Sequence, residues 1–162
     1  MSKRIIFGNS GAGKSTLAIN IAKEKNLAHL DLDTLAWLPE MPPRRAALLD
    51  SKAKIDEFIQ INDQWVIEGG YIDLIELVRS HAEEIIFMNL DESQCIENAK
   101  NRPWEPHKYE SKKAQDENLE MLIEWIKQYY VRDDEFSYLS HMSFYDSFLG
   151  KKKMYSTNVN FT

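Results

Sequence analysis

Gly8-Asn9-Ser10-Gly11-Ala12-Gly13-Lys14-Ser15-Thr16, read as GNSGAGKST, follows directly on the apolar run Ile5-Ile6-Phe7. Its first eight residues fit G-x-x-x-x-G-K-[ST] without a gap. The glycines let successive backbone N–H groups turn inward around an oxyanion. The helix that starts at Lys14 adds the partial positive charge of its N-terminus. A loop so built holds a polyphosphate. The pattern assigns Asn9, Ser10, Gly11, Ala12, Gly13, Lys14, Ser15 and Thr16 to the nucleotide, with Lys14 at the β- and γ-phosphates and the Ser15 hydroxyl on Mg²⁺. A strand before and a helix after separate this reading from a glycine-rich turn without a ligand.

Outward from the loop, strand and helix patterns alternate. Residues 4–7 read as a strand and 14–25 as a helix that stops at Asn26. Residues 27–33 (LAHLDLD) supply a second strand, and the proline-rich 38–45 (LPEMPPRR) can only be loop. Helical spacing returns over 46–61. A third strand, 64–70 (QWVIEGG), is followed by a short helix over 71–81 and a fourth strand over 83–91. A helix over 92–100, a loop over 101–109 with two prolines, one long helix over 114–130 and a last short strand near 151–157 complete the chain. The pattern predicts an α/β fold with a central, mostly parallel sheet of about five strands and helices on both faces. One domain is expected over 1–162, with mobile flaps at 39–45 and 101–113.

Acids gather where such a sheet presents its ligand edge. Asp31-Leu32-Asp33 ends the second strand, and residues two apart in extended chain face the same way. One carboxylate can place Mg²⁺ or its waters, and the other can accept the proton of an attacking hydroxyl. The plainer alternative is a pair of turn-forming aspartates. Glu68 closes the apolar run Trp65-Val66-Ile67 ahead of Gly69-Gly70, the position of a metal-directing carboxylate at a strand tip. Gly69, Gly70 and the following Tyr71 allow close approach of a substrate.

Composition narrows the partners. With 43% hydrophobic and 28% charged residues the chain has ordinary globular make-up. No apolar run approaches the roughly 20 residues of a membrane span. The start, MSKR leading straight into a strand, leaves no room for a signal peptide, so a cytoplasmic location is expected. The single cysteine, Cys95, excludes an internal disulfide and reads as a half-buried helix residue. A net charge of −6 argues against direct nucleic-acid binding. Arg44-Arg45, the basic residues of 102–113 and Lys151 to Lys153 read as solvated loops or faces. Within the second group, His107, Lys108, Lys112 and Lys113 are able to follow a closing flap over the phosphates. Trp37, Tyr71 and Trp104 fall beside the proposed site, to stack on a substrate or simply to pack.

Together, GNSGAGKST, DLDTLAW (31–37), WVIEGGY (65–71) and RPWEPHKYESKKAQDENLEMLIEWIKQYYVRDDEFS (102–137) resemble the P-loop kinases of the adenylate kinase and shikimate kinase group. The resemblance is nearest to bacterial adenylate-kinase-related proteins described as putative DNA-topology-modulation proteins. It implies a three-layer P-loop NTPase fold of the nucleoside monophosphate kinase type, with ATP and Mg²⁺ as cofactors and a small-molecule or nucleotide substrate. It also implies an acceptor-side flap at about 34–62, a lid-like flap at about 101–113, and a monomer or homodimer. Lys14 stands 17 and 19 residues before Asp31 and Asp33, as in shikimate kinases. That implies Asp31 at Mg²⁺ and Asp33 at the acceptor hydroxyl. Glu68-Gly69 resembles the Asp-Gly step of nucleoside monophosphate kinases. Arg102 and Arg132 stand where such kinases carry arginines that clamp the γ-phosphate. Two departures matter: Ile59, not arginine, follows Phe58 where shikimate kinases bind the substrate carboxylate, and EGGY lacks the proline and arginine of adenylate kinases. Phosphoryl transfer is the leading expectation, and a nucleotide-binding regulator or a slow ATPase stays open.

Overall fold

β1 (Lys3–Gly8) is apolar on both faces, as a strand covered from two sides must be. The structure, a computed structural model, describes residues 2–159. After β1 come α1 (Lys14–Lys25), β2 (Ala28–Asp31), α2 (Asp33–Ala36) and a two-stranded hairpin of β3 (Trp37–Leu38) and β4 (Arg44–Arg45). Then follow α3 (Leu48–Ile61), β5 (Trp65–Glu68), α4 (Ile72–Glu76), a 3₁₀ turn at Arg79–His81 and β6 (Glu84–Met88). The remainder is α5 (Glu92–Lys100), α6 (Lys112–Glu117), α7 (Leu119–Lys127), α8 (Tyr138–Ser147) and β7 (Lys151–Tyr155).

Five strands form one sheet in the order β2-β5-β1-β6-β7, every pair parallel. Alternating side chains sort into two cores. On one face Ile5, Phe7, Trp65, Ile67, Ile85 and Phe87 pack under α2, α3, α4 and α8. On the other, Ile6, Val66, Ile86 and Met88 pack under α1, α5 and α7. Helices thus cover the sheet on both faces, giving a three-layer α/β architecture. Among the described residues, no helix is long and apolar enough to cross a membrane.

Local departures from the sequence pattern have physical causes. Arg44-Arg45 is extended, not merely loop, because it pairs with Trp37-Leu38. The following helix therefore begins at Leu48 rather than Ala46. The long helix expected over 114–130 is two helices, with the break at Asn118. Its N–H is shared between the carbonyls of Ala114 and Gln115, and its side chain donates to the Tyr109 hydroxyl at 3.0 Å. Ser111 starts α6 two residues earlier than expected by capping Ala114 N–H at 3.1 Å. Cys95 is fully buried rather than half-buried. Helix α8 had no counterpart in the sequence reading. Its signal was Ser137, whose hydroxyl accepts from Ser140 N–H at 3.0 Å.

Candidate active site

The glycine loop owes its shape to left-handed backbone at Gly11 (φ 76°) and Gly13 (φ 81°). A Cβ on Gly11 would run into the carbonyl oxygen of Cys95 on α5, whereas one on Gly13 would meet open space. Asn9 is buried and anchors the loop from within. Its Oδ1 accepts from Ser10 N–H at 2.8 Å, and its Nδ2 donates to Ile126 O at the end of α7, 3.2 Å away. No side chain caps α1 and no acid lies in its first turn, so the positive end of the helix faces the loop uncompensated. The Lys14 ammonium donates to Asn9 O at 2.6 Å. Burial lowers its pKa, Glu68 and Asp33 pull it back up, and Arg102 and Lys108 add to the lowering.

Glu68 pairs with Asp31 across β5 and β2 and with Ile6 across β5 and β1, so the acids and the loop open on one edge of the sheet. The chain does not stay extended through Asp33, as the strand reading had it. It turns into α2, with Asp31 Oδ1 accepting from Asp33 N–H at 2.9 Å. The aspartates thus form a turn and still converge, because one cation joins them. Lys108 Nζ lies 2.7 Å from Asp33 Oδ2, 3.3 Å from Asp31 Oδ2 and 3.3 Å from Glu105 Oε2. Burial alone would raise Asp33, but the Lys108 ammonium and the Tyr71 hydroxyl outweigh it and hold the carboxyl below its ordinary range. Asp31 is raised by burial and by repulsion from Glu68 and Asp33. His29 Nε2 meets Glu68 Oε2 at 3.0 Å.

Lys108 is presented by an internally tied flap. Trp104 Nε1 donates to Tyr109 O at 3.0 Å, and Gln115 clasps the loop by accepting from Glu105 N–H (2.8 Å) and donating to Pro103 O (3.1 Å). His107 Nε2 stands 3.6 Å from Asp31 Oδ2. On the other side of Asp33, the Tyr71 hydroxyl donates to Asp33 Oδ1 and accepts from Trp37 Nε1 at 2.8 Å. Behind Tyr71 lies Arg45, which is engaged rather than solvated. It donates to Asp73 Oδ2 (2.9 Å), Glu135 Oε1 (3.1 Å) and Ala36 O (3.3 Å). Its guanidinium also lies 4.9 Å from the Tyr71 ring centre and 5.5 Å from that of Phe136.

The structure therefore brings Lys14, Asp31, Asp33, Glu68, Gly69, Gly70, Tyr71 and Arg102 to one region. Gly69 N–H donates to Ile6 O at 3.0 Å, and Gly70 lies against Gly8 O. Arg102 is within electrostatic reach of Lys14 while Nη1 pairs with Glu105 Oε1 at 3.1 Å. Ser15 and Thr16 open α1 on the same loop. Arg132 stands apart: Nε and Nη2 grip Asp134 at 2.5–2.9 Å, and the guanidinium lies 3.7 Å from the Trp125 ring centre. Among the described residues, no three His, Cys, Asp or Glu side chains form a metal cage by themselves.

The sequence suggested only a solvated role for Arg45 and none for Glu105, His29 and His141. His141, fully buried on α8, donates from Nε2–H to Gly70 O at 2.9 Å. A carbonyl only accepts, so Nδ1 is free to accept the Tyr129 O–H at 2.5 Å. Burial lowers its pKa to about 4. A lone histidine in an aromatic-rich stretch with no sequence neighbour at the site carries no warning of this contact.

No family model matches the chain, and no curated protein matches it in sequence. Solved structures do match it in shape. A shikimate kinase from Acinetobacter baumannii in complex with shikimate superposes with a TM-score of 0.58 at 17% identity, covering 99% of this chain and 86% of that one. A shikimate kinase from Bacteroides thetaiotaomicron gives 0.54 at 14% identity, with 96% and 86% covered. A gluconokinase from Sinorhizobium meliloti 1021 gives 0.53 at 16% identity, with 98% and 84% covered. At such identities the likeness is one of fold, a five-stranded parallel sheet covered by helices on both faces.

Proposed function

We propose that this protein is an ATP- and Mg²⁺-dependent phosphotransferase that acts on a small metabolite or nucleotide. The observation that carries the proposal is Asp33, an acceptor-side carboxylate held ionised by Lys108 and Tyr71, within electrostatic reach of the Lys14 ammonium. A protein that only binds nucleotide has no use for such an acid.

The loop amides of 9–16, the α1 N-terminus and Lys14 would receive the polyphosphate. The Ser15 hydroxyl and the carboxylates of Asp31 and Glu68 are hard oxygen donors of the kind Mg²⁺ takes while keeping water and phosphates in its other positions. When bound, the ion would neutralise phosphate charge. Asp33 would accept the proton of the acceptor hydroxyl as the new P–O bond forms on that oxygen. The bond to the β–γ bridging oxygen breaks in the same step, and ADP leaves with its electron pair. Arg102 would neutralise the group in flight, taking phosphate in exchange for Glu105. Arg132 would join it only by releasing Asp134. Gly69, Gly70 and Tyr71 would form the wall behind the acceptor. The segment 101–113 would act as a lid and 34–62 as the acceptor-side flap, in a cytoplasmic monomer or homodimer.

The test is phosphate transfer from labelled ATP to a metabolite library. Lys14→Ala should lower turnover by about 10²–10³-fold. Asp33→Asn should lower turnover far more than ATP affinity. Equal loss of both would leave Asp33 a support of the nucleotide site only. Phosphate release that no metabolite stimulates would point to a simple ATPase. The regulator reading, drawn from the resemblance to DNA-topology-modulation proteins, requires ATP-dependent, salt-sensitive DNA binding, which a net charge of −6 disfavours.

A further inference from the structure

The cations around Asp33 have carboxylate partners of their own. Lys108 is shared by Asp31, Asp33 and Glu105. Arg45 is bound by Asp73 and Glu135, donates to a backbone carbonyl, and is flanked by the rings of Trp37, Tyr71 and Phe136. Arg44 is mostly exposed and pairs with Glu40 at 3.1 Å. Lys14 makes no ion pair among the described residues, but it belongs to the glycine loop. Arg102, paired with Glu105 at 3.1 Å, is the cation given to the transferring phosphoryl group. Among the described residues, an acceptor bearing a carboxylate or phosphate would thus find no cation beside Asp33 that is neither carboxylate-paired nor assigned to the nucleotide. It would also have to approach Asp31 and Asp33, with Asp73 and Glu135 behind them. Lifting the flap does not help such a ligand, because Lys108 would leave with it and strip the aspartates of their counter-ion. An uncharged hydroxyl compound meets no such opposition. Asp33 accepts its proton, and Trp37, 39% exposed and set at 70° to the Tyr71 ring, offers aromatic surface for a sugar or base to lie against.

We infer that the acceptor is an uncharged polyhydroxyl compound of the sugar, cyclic polyol or nucleoside class, rather than a carboxylate such as the shikimate bound by the Acinetobacter kinase. The inference rests on the phosphotransferase reading and narrows its acceptor. The full chain, with Mg-ATP, should be offered matched sets: neutral sugars, cyclic polyols and nucleosides, each beside its acid or phosphate ester. Like-charge juxtaposition is worth several kcal/mol, so the best neutral compound should exceed its anionic counterpart by about 100-fold in kcat/KM. Equal or better transfer to the anionic set overturns the inference. So does transfer to neither set while calorimetry still registers Mg-ATP binding. Failure to bind Mg-ATP at all removes the phosphotransferase reading along with the inference. The double variant Asp73→Asn, Glu135→Gln frees Arg45 and should raise the anionic-to-neutral ratio of kcat/KM about tenfold. That ratio does not depend on the amount of folded protein, and an unchanged ratio overturns the role given to the paired arginine.

Discussion

Among the described residues, Lys14 donates only to a backbone carbonyl, that of Asn9, whereas Arg45 is held by two carboxylates, a carbonyl and the faces of three aromatic rings. The two cations typify the halves of the proposed site, a phosphate-donor side and an acceptor side. On the donor side, positive charge is left open: one ammonium, a helix terminus and loop amides, all within a few residues of each other. On the acceptor side positive charge is matched, and the matching ties together distant segments. Arg45 reaches Glu135 across 90 positions, Tyr71 reaches Asp33 across 38, and His141 reaches Gly70 across 71. Open charge serves to capture an anion, while paired charge fixes the shape of a wall.

The donor half should break most completely at Gly11. An alanine there must hold left-handed backbone and displace the Cys95 carbonyl, so Gly11→Ala should cost about 4 kcal/mol of folding stability and lower nucleotide affinity by about 100-fold. Gly13→Ala has the same backbone strain and nothing to strike, so its cost should be only about 1–2 kcal/mol. Urea unfolding and nucleotide titration of the pair check this. Similar losses for both would mean that packing on α5 is not what shapes the loop.

The acceptor half should respond to pH through His141. Its folded pKa of about 4 lies below the ordinary histidine value, so it is neutral in the fold. As pH falls through about 6.5 the unfolded chain takes up a proton that the fold refuses, and stability drops until about pH 4, where the folded histidine protonates too. Over that window the loss is on the order of 3 kcal/mol. In His141→Gln the decline between pH 6.5 and 5 should flatten, as read from urea midpoints. Arg45→Met, which leaves Asp73 and Glu135 facing each other without a cation, should cost about 2 kcal/mol at pH 7, discounted for their partial exposure.

The two halves differed in how far the sequence disclosed them. Glycines at fixed offsets before a lysine dictate a local backbone, so the donor loop could be read from nine consecutive letters. The strands also announced themselves, since a sheet covered on both faces needs apolar runs such as Trp65-Val66-Ile67 and Ile85-Ile86-Phe87. Asp31 and Glu68 followed because a strand tip is a local fact, whereas Asp33 lies just beyond, in the first turn of α2. Arg45 and His141 were illegible for the opposite reason. Their partners are set by how α4, α8 and the 133–137 turn stack, and nothing near Arg45 in sequence distinguishes it from its exposed neighbour Arg44. Lys108 lay between: its flap and charge were readable, but its place on the aspartates, rather than over the phosphates, was not.

The smallest expected change separates the halves most cleanly. Tyr71→Phe deletes one hydroxyl, which donates to Asp33 and accepts from Trp37. The ring contacts with Phe136 and Arg45 stay, since they involve the aromatic face and not the oxygen. Stability should fall by about 1 kcal/mol, the usual net worth of a part-buried hydrogen bond. Asp33 keeps Lys108 and stays ionised, yet its carboxylate loses one of the two contacts that aim it. Under the proposed mechanism turnover should therefore drop about tenfold through poorer alignment of Asp33, while nucleotide affinity, assigned there to Lys14 and the loop amides, should not move. A parallel loss of nucleotide affinity would show that donor and acceptor sides are mechanically one unit, and that the contrast between open and paired charge does not divide the site.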